Sequence, residues 1–279
     1  MREIYLRESD FSAKFILVEG LNGSGKTTQA KILTEALMQS GISAVFNHEP
    51  SVGVFGRIIR RFIDQSPIDH GLLHLANDLA GSRLRDKSGQ SPDQRQFYGV
   101  LLNVLNALEK GNNLTEWEKQ TLFVANRLED LEGNIFPNLQ KKTWVIQDRY
   151  DLSCFFHGMS NGVNFNKLLD LHQKVLADSY LAPDLIIYYW LPVPVALERL
   201  KSSGKIIDIY ENEKNLGRIE KAAREILEFI DEVPKPQQPL VREFKMFHNI
   251  HKVLIINAEP GIKAISEETW NYVKHTFSA

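Results

Sequence analysis

Residues 15–28 read FILVEGLNGSGKTT, an apolar segment that breaks into a glycine-rich turn and then enters a helical pattern. The first four residues are large and apolar, which is typical of a buried strand. The helical pattern continues through residue 37. The turn between the two follows G-x-x-x-x-G-K-[ST], and in a strand, loop and helix context this pattern is typical of a phosphate-binding loop. The stretch therefore predicts an α/β fold with an anion site at the end of its first strand.

Glycines make this loop suitable for phosphate. Gly20, Gly23 and Gly25 carry no Cβ, so backbone N–H groups can turn toward phosphate oxygens. The N-terminus of the following helix adds a partial positive charge. We expect Lys26 to reach the β- and γ-phosphates of a nucleotide, and the Thr27 hydroxyl to bind Mg²⁺.

Composition narrows the class of protein. The chain has 279 residues, 43% of them apolar, and a formal net charge of −2, so attraction to a nucleic acid polymer or an anionic membrane is not expected. Cys154 is the single cysteine, which excludes an internal disulfide and a zinc site built from cysteines. There is no apolar run of membrane-spanning length, and the first ten residues contain charges where a signal peptide would need an apolar core. We therefore expect a soluble, cytoplasmic protein.

Short apolar segments alternate with helical patterns along the chain. Five segments are predicted as strands: residues 15–18, 42–46, 143–147, 185–190 and 253–257. Such alternation predicts a five-stranded parallel sheet of the P-loop NTP hydrolase type, with helices on both faces. We expect one domain over residues 1–279.

Three segments depart from this alternation. Residues 64–118 are predicted to form a helical insertion, in which residues 81–93 are rich in Gly, Ser and Asp and are typical of a mobile loop. Residues 202–208 are predicted to form a flexible turn. The proline-rich residues 233–240 are predicted to be a connector.

Two further patterns suggest chemistry beside the loop. Residues 148–150 (DRY) follow a predicted strand, where Asp148 could bind Mg²⁺ and Arg149 could fork across two phosphates. The alternative is a surface ion pair. Phe123 and Arg127 share one helix face, where they could stack on a planar base and hydrogen-bond its edge. The alternative is a core phenylalanine beside a solvated arginine.

Several motifs in order resemble the thymidylate kinase family of nucleoside monophosphate kinases. Residues 19–29 (EGLNGSGKTTQ) are close to the family's E-G-[LI]-D-G-[SA]-G-K-[ST]-T-Q. Glu49 and Pro50 with Gly53, Gly56 and Arg60 resemble its E-P stretch, and residues 122–127 (LFVANR) resemble L-F-x-A-[DN]-R. Residues 148–153 resemble D-R-Y-x-x-S, and residues 183–199 resemble P-D-L followed by V-A-L-E-R.

The resemblance implies transfer of the ATP γ-phosphoryl group to a deoxynucleoside monophosphate, with ATP and Mg²⁺ as ligands and a possible homodimer. It also implies that residues 201–217 act as a lid over the phosphates. Its catalytic residues would be Lys26, Arg149 and Asp148. Its ATP-binding residues would be Gly20, Asn22, Gly23, Ser24, Gly25, Lys26, Thr27, Thr28, Arg199 and Lys205. Its acceptor-binding residues would be Glu49, Arg60, Phe123, Arg127, Arg149 and Ser153, and its metal ligands Thr27 and Asp148.

The chain departs from the family pattern at several positions. Asn22 stands where the family has Asp, His48 replaces the Arg of T-R-E-P, and Ile209 stands at the usual arginine of the lid. These departures leave two alternatives to a dTMP kinase. One is a deoxynucleoside kinase, and the other is a nucleotide-binding regulatory protein that has lost turnover.

Overall fold

The computed structural model describes residues 11–86, 90–176, 179–204, 212–247 and 249–278. Its centre is a six-stranded sheet. The strands are β1 (Phe15–Gly20), β2 (Ala44–His48), β3 (Trp144–Asp148), β4 (Leu185–Trp190), β5 (Leu240–Met246) and β6 (Asn249–Asn257). Their order is β2-β3-β1-β4-β6-β5, and every pairing is parallel except that of β5 with β6. The predicted α/β class is confirmed, and the sheet has six strands rather than five.

The additional strand lies in a segment that the sequence does not mark as a strand. β5 begins at Leu240, where the predicted connector ends, and forms the edge of the sheet. Its side chains alternate between partly buried and exposed positions, and charged residues such as Arg242 and Lys245 occur along it. An edge strand of this kind lacks the continuous apolar run of a buried parallel strand. The prediction of five strands was wrong for this reason.

Helices cover both faces of the sheet. They are α1 (Lys26–Gln39), α2 (Val54–Ile63), α3 (His70–Arg85), α4 (Pro92–Glu109), α5 (Glu116–Asp130), α6 (Phe136–Gln140), α7 (Asp151–Ser160), α8 (Phe165–Leu176), α9 (Val193–Ser202), α10 (Glu213–Ile226) and α11 (Ile262–Phe277). A π-helical turn over Leu131–Ile135 joins α5 to α6. Within the described residues, no helix is both long enough and apolar enough to cross a membrane.

Successive residues of β1 face opposite sides of the sheet, as the strand period of two requires. Phe15 and Leu17 pack into one apolar cluster, which includes buried side chains of α2 to α5, α7, α8 and α10. Ile16 and Val18 pack into a second cluster with α1 and α11. The phosphate-binding pattern therefore follows a strand that is buried on both faces.

The predicted insertion contains two helices. α3 and α4 pack against each other. α3 also contacts α2, and α4 also contacts α5 and α8. α3 extends through Arg85, so the first part of the predicted mobile loop is helical. α4 begins at Pro92 behind a capping box formed by Ser91 and Gln94. Residues 87–89 of the predicted loop and residues 205–211 of the predicted lid lie outside the described residues.

Candidate active site

The phosphate-binding loop takes the strand, loop and helix form that its sequence predicts. It connects β1 to α1 and contains Gly23 at φ 86° and Gly25 at φ 84°, a conformation that favours glycine. A Cβ on Gly23 would lie 2.6 Å from the carbonyl oxygen of Ala196. Gly25 is the N-cap residue of α1 and has no side chain to cap it. The N-terminal N–H groups of α1 therefore face an anion site rather than a capping side chain.

A lysine, a threonine and an aspartate meet at the end of this loop. Lys26 Nζ donates to the carbonyl oxygen of Leu21 at 3.3 Å and to Asn22 Oδ1 at 3.5 Å. The Thr27 hydroxyl donates to Asp148 Oδ2. The second oxygen of the buried Asp148 carboxylate, Oδ1, accepts no hydrogen bond from the described part of the chain. A hard cation or its bound water fits such an oxygen, because Mg²⁺ in phosphate sites takes one or two carboxylates together with phosphate oxygens.

Arg149 lies directly after β3, beside the phosphate-binding loop. Its Nη1 donates to Ser153 Oγ at 3.1 Å, and its Nη2 donates to Asn22 Oδ1. Its backbone has φ 69°, which is uncommon for a residue with a Cβ. Lys26 and Arg149 therefore converge on the same side chain, Asn22. The two catalytic cations predicted from the sequence lie side by side.

One cavity of about 570 Å³ contains most of the predicted site. A volume of this size is typical of small-molecule sites. The predicted site residues that line it are Asn22, Gly23, Lys26, Thr27, Glu49, Arg60, Phe123, Asp148, Arg149 and Ser153. Gly20, Ser24, Gly25 and Thr28 belong to the loop or the first turn of α1 and are not part of this lining.

Phe123 and Arg60, both predicted to bind the acceptor, line the cavity. Phe123 of α5 is half-buried, so part of its ring faces the open space. Arg60 of α2 is exposed, and the described residues form no ion pair with it. An aromatic face and an accessible guanidinium thus occupy the wall next to Arg149.

Arg127 does not reach the cavity. Its guanidinium is fully buried, and it forms a two-pronged ion pair with Glu49, with a distance of 3.0 Å from Nε to Oε1. Its Nη1 donates to His172 Nε2 at 2.7 Å, and its Nη2 also donates to Cys154 Sγ at 3.3 Å. The guanidinium lies 4.7 Å from the centre of the Tyr150 ring. The structure therefore places Arg127 behind the cavity lining, and its expected contact with the edge of an acceptor base stays a prediction.

Polar side chains on α5 hold the loop between β2 and α2. Asn126 Oδ1 accepts from the Ser51 N–H at 2.9 Å and from the Ser51 hydroxyl at 2.7 Å. Glu129 accepts from the N–H groups of Val54 and Phe55 at 2.7 and 3.1 Å, and so caps α2. Because Glu49 is tied to the same helix through Arg127, the LFVANR motif orders the loop between β2 and α2.

Arg199, another predicted ATP-binding cation, does not face the cavity. Arg199 of α9 donates to the carbonyl oxygens of Ala258 at 2.9 Å and Glu259 at 3.0 Å, so its guanidinium fastens α9 to the segment after β6. It is not part of the cavity lining. Lys205 lies outside the described residues, as does Ile209.

The cavity is also lined by residues to which the sequence analysis assigned no binding or catalytic role. They are Lys31, Phe46, His48, Pro50, Ile63, Asp64, Tyr150, Cys154, His157 and Leu200. Burial, together with the charges of Arg149 and Lys26, lowers the pKa of His157. His157 follows Ser153 by four residues on α7, so helical spacing from the DRY motif could have found it. Lys31 and Phe46 have no such signal, because they meet only when α1 packs beside β2.

Comparison with known proteins agrees with this geometry. The family model described as "Thymidylate kinase" matches residues 18–84 and 90–234. The chain is 31% identical over 204 residues to a thymidylate kinase of Nitrosomonas europaea, covering 73% of each chain. It is 26% identical over 262 residues to a thymidylate kinase of Orientia tsutsugamushi, covering 94% of this chain and 93% of the relative. It is 25% identical over 261 residues to a probable thymidylate kinase of Pyrococcus abyssi, with 94% and 96% covered. The chain belongs to the thymidylate kinase family.

Proposed function

We propose that this protein transfers the γ-phosphoryl group of ATP to the phosphate of dTMP, giving dTDP and ADP. The observation that carries the proposal is the convergence of Lys26, Arg149 and the pair Thr27 and Asp148 on one cavity. Family membership and the names of the relatives support the same activity. The reaction needs positioning and neutralisation of charge more than it needs a strong base. A site rich in cations therefore suits it.

The phosphate-binding loop, Lys26 and Arg149 would have separate roles toward the transferred group. The loop N–H groups and the N-terminus of α1 bind the phosphates of ATP. Lys26 neutralises negative charge on the β- and γ-phosphates. Arg149 lies where the donor and acceptor phosphates would meet, and its guanidinium can bind oxygens of both. The charge that spreads over the transferred group in the transition state is then balanced by groups already in place.

Thr27 and Asp148 are the residues that would hold Mg²⁺. Their side chains are in contact, and Asp148 Oδ1 has no hydrogen-bond partner among the described residues. When bound, the ion would neutralise phosphate charge and keep the β- and γ-phosphates in a fixed orientation. One carboxylate is sufficient for such a site, because phosphate oxygens and water supply the other ligands.

The acceptor would occupy the other half of the cavity. Phe123 offers a ring face on which a pyrimidine base can stack. Arg60 offers an exposed guanidinium for the acceptor phosphate. Glu49 reaches the same wall, but its carboxylate is occupied by Arg127, so it shapes the wall. Burial raises the pKa of Glu49, and the charge of Arg127 opposes that rise.

A coupled ADP-release assay tests the proposal. The purified chain would be supplied with ATP and Mg²⁺, and with dTMP, dUMP, dCMP, dGMP, UMP or thymidine in turn. We expect turnover with dTMP that the Lys26→Ala variant lacks. Turnover with thymidine in place of dTMP would identify a deoxynucleoside kinase. Tight ATP binding with no turnover on any acceptor would identify a regulatory nucleotide-binding protein.

A further inference from the structure

Glu19 is a buried carboxylate at the end of β1, directly before the phosphate-binding loop. It is fully buried, and every hydrogen bond described for it comes from one short segment after β3. Oε1 accepts from the N–H of Tyr150 and the N–H of Ser153, each at 3.1 Å. The Ser153 hydroxyl lies 2.9 Å from Oε1 and 2.8 Å from Oε2. A buried carboxylate with these partners is held in one position, because losing them would leave its charge unsatisfied.

The hydrogen bonds have a fixed direction. A carboxylate only accepts, so the Ser153 hydroxyl must donate its proton to Glu19. The lone pairs of Ser153 Oγ then face Arg149, whose Nη1 donates to that oxygen at 3.1 Å. The chain of donors thus runs from Arg149 through Ser153 to Glu19. Reversing the Ser153 hydroxyl would direct its proton at a guanidinium that has no acceptor.

Arg149 needs such support because its backbone is in an unfavourable conformation. A φ of 69° for a residue with a side chain costs free energy and persists only where the surroundings enforce it. Glu19 holds the next residue, Tyr150, by its N–H, and Ser153 one turn further on. The same carboxylate therefore fixes both the backbone that follows Arg149 and the hydroxyl that receives its guanidinium.

We propose that Glu19 is a positioning residue for phosphoryl transfer, and that its carboxylate sets the place and direction of the Arg149 guanidinium through Ser153 and the turn at residues 150–153. This inference rests on the proposed function, since it assigns Arg149 to the transferred phosphoryl group. Glu19 does not line the cavity, so it touches no substrate. Its effect on the reaction passes through Arg149.

The test is a Glu19→Gln variant with a matched control. Glutamine keeps the size of the side chain and one acceptor oxygen, which the N–H groups of Tyr150 and Ser153 also use. Its amide nitrogen replaces the second acceptor of the Ser153 hydroxyl with a donor, and this donor competes with Arg149 for Ser153 Oγ. We expect kcat with dTMP to fall about 10-fold or more, while KM for ATP stays within about twofold. The control is Asp184→Asn, which alters a largely buried carboxylate that accepts from the Phe15 N–H at the opposite end of β1. It should lower the melting temperature and leave kcat unchanged.

A second variant tests the relay if Glu19→Gln does not fold. Ser153→Ala removes the hydroxyl and leaves the buried charge on its two N–H donors. We expect it to lower kcat by a similar factor, and the double variant to lose little more than either single one. Multiplicative losses in the double variant would overturn the relay, as would a folded Glu19→Gln variant with the kcat of the unaltered chain. Failure of the proposed function would look different, because the unaltered chain would then show no turnover with dTMP.

Discussion

At the scale of single residues, Asp148 is the side chain on which the metal site depends. Its Oδ2 is bonded to Thr27 and its Oδ1 is left for a cation or a bound water. We expect Asp148→Asn to raise the Mg²⁺ concentration for half-maximal turnover about 10- to 100-fold. A titration of activity with Mg²⁺ at saturating ATP and dTMP would measure this shift. Asp184→Asn is the control, and an unchanged Mg²⁺ requirement in Asp148→Asn would remove this residue from the metal site.

His172 is held in its neutral form by its neighbours. Arg127 donates to Nε2, so this nitrogen has to be an acceptor, and the proton sits on Nδ1, which donates to the carbonyl oxygen of Leu168 at 2.8 Å. Burial and the charge of Arg127 lower the pKa of His172 to about 3 from its ordinary 6.5. Between these two values the unfolded chain binds a proton at this position that the folded chain does not. The folded state therefore loses stability as the pH falls below 6.5.

His172→Gln should flatten this dependence. The amide of glutamine can accept from Arg127 and donate to Leu168, but it does not titrate. The difference between the two proteins in the slope of unfolding free energy against pH should approach about 1.4 kcal/mol per pH unit below pH 6. Urea unfolding at several pH values measures the slope. His74→Gln, at an exposed position on α3, should keep the slope of the unaltered chain. Equal slopes for His172→Gln and the unaltered chain would contradict the assignment.

The sequence predicts the positions of some site residues and not of others. The positions of Lys26, Thr27, Asp148 and Arg149 could be predicted from local pattern. Lys26 and Thr27 begin the helix after the glycine-rich loop, and Asp148 and Arg149 lie at the end of β3 and directly after it. The position of Arg127 could not be predicted, because its ion pair with Glu49 joins residues 78 positions apart in the chain. Helical spacing places Arg127 on the face of Phe123, but it does not say which partner a long side chain will find.

At the scale of elements, the contact between α5 and the loop before α2 is tight enough to exclude one methyl group. A Cβ on Gly56 would lie 2.1 Å from the carbonyl oxygen of Ser51 and 2.6 Å from Asn126 Oδ1. The first of these atoms is backbone and cannot swing away. Alanine at this position has to push the loop off α5.

Gly56→Ala should therefore destabilise the protein, although alanine is usually better than glycine inside a helix. We expect a loss of about 1–3 kcal/mol in the free energy of unfolding and a raised KM for dTMP. Gly217→Ala in α10 is the matched control, since a Cβ there would meet no atom within 4 Å. It should gain up to about 1 kcal/mol. Urea unfolding of both variants measures these differences. Equal stability of the two would contradict the prediction, because it would show that the loop before α2 moves away from α5 at little cost in free energy.

The elements that could be predicted from the sequence are those whose apolar residues follow one clear pattern. Four of the five parallel strands are mostly or wholly buried, and each contains a run of apolar residues. Their predicted bounds differ from the observed ones by a few residues at most. α7 was missed because most of its residues are buried, so it has no polar face to show a helical period. The edge strand β5 was missed because charged residues interrupt its apolar ones and prolines precede it.

At the scale of the whole molecule, the hairpin of β5 and β6 is fastened to the helices by its turn. Phe247 follows β5 and is buried, with its ring 4.8 Å from that of Tyr180 and 6.0 Å from that of Phe155. Phe247→Ala should lower the free energy of unfolding by about 3–5 kcal/mol. KM for ATP should not change, because this turn precedes the amino end of β6 while the phosphate-binding loop follows the carboxyl end of the parallel strand β1. Val241→Ala, at a more exposed position of β5, is the control and should cost much less.

The site as a whole follows from the topology. Parallel strands place their carboxyl ends at one edge, and the ends of β1, β2 and β3 there present the phosphate-binding loop, Glu49 and Asp148. This much could be expected once the strands were recognised. The way α5 and α7 close the cavity could not, because helix packing depends on contacts between distant parts of the chain.

The buried ion pair of Arg127 and Glu49 has a consequence for the descent of this protein. Removing either partner leaves a charge in the interior, which typically costs several kcal/mol, so mutations at the two positions and at His172 are tolerated together or not at all. Near-invariance of these positions among relatives would therefore not by itself show that selection by the substrate preserves them. Joint substitution of all three in lineages that keep Phe123, Arg149 and Lys26 would show instead that the interior preserves them. Conservation of Arg127, Glu49 and His172 would then reflect packing in the interior as much as the chemistry of the reaction.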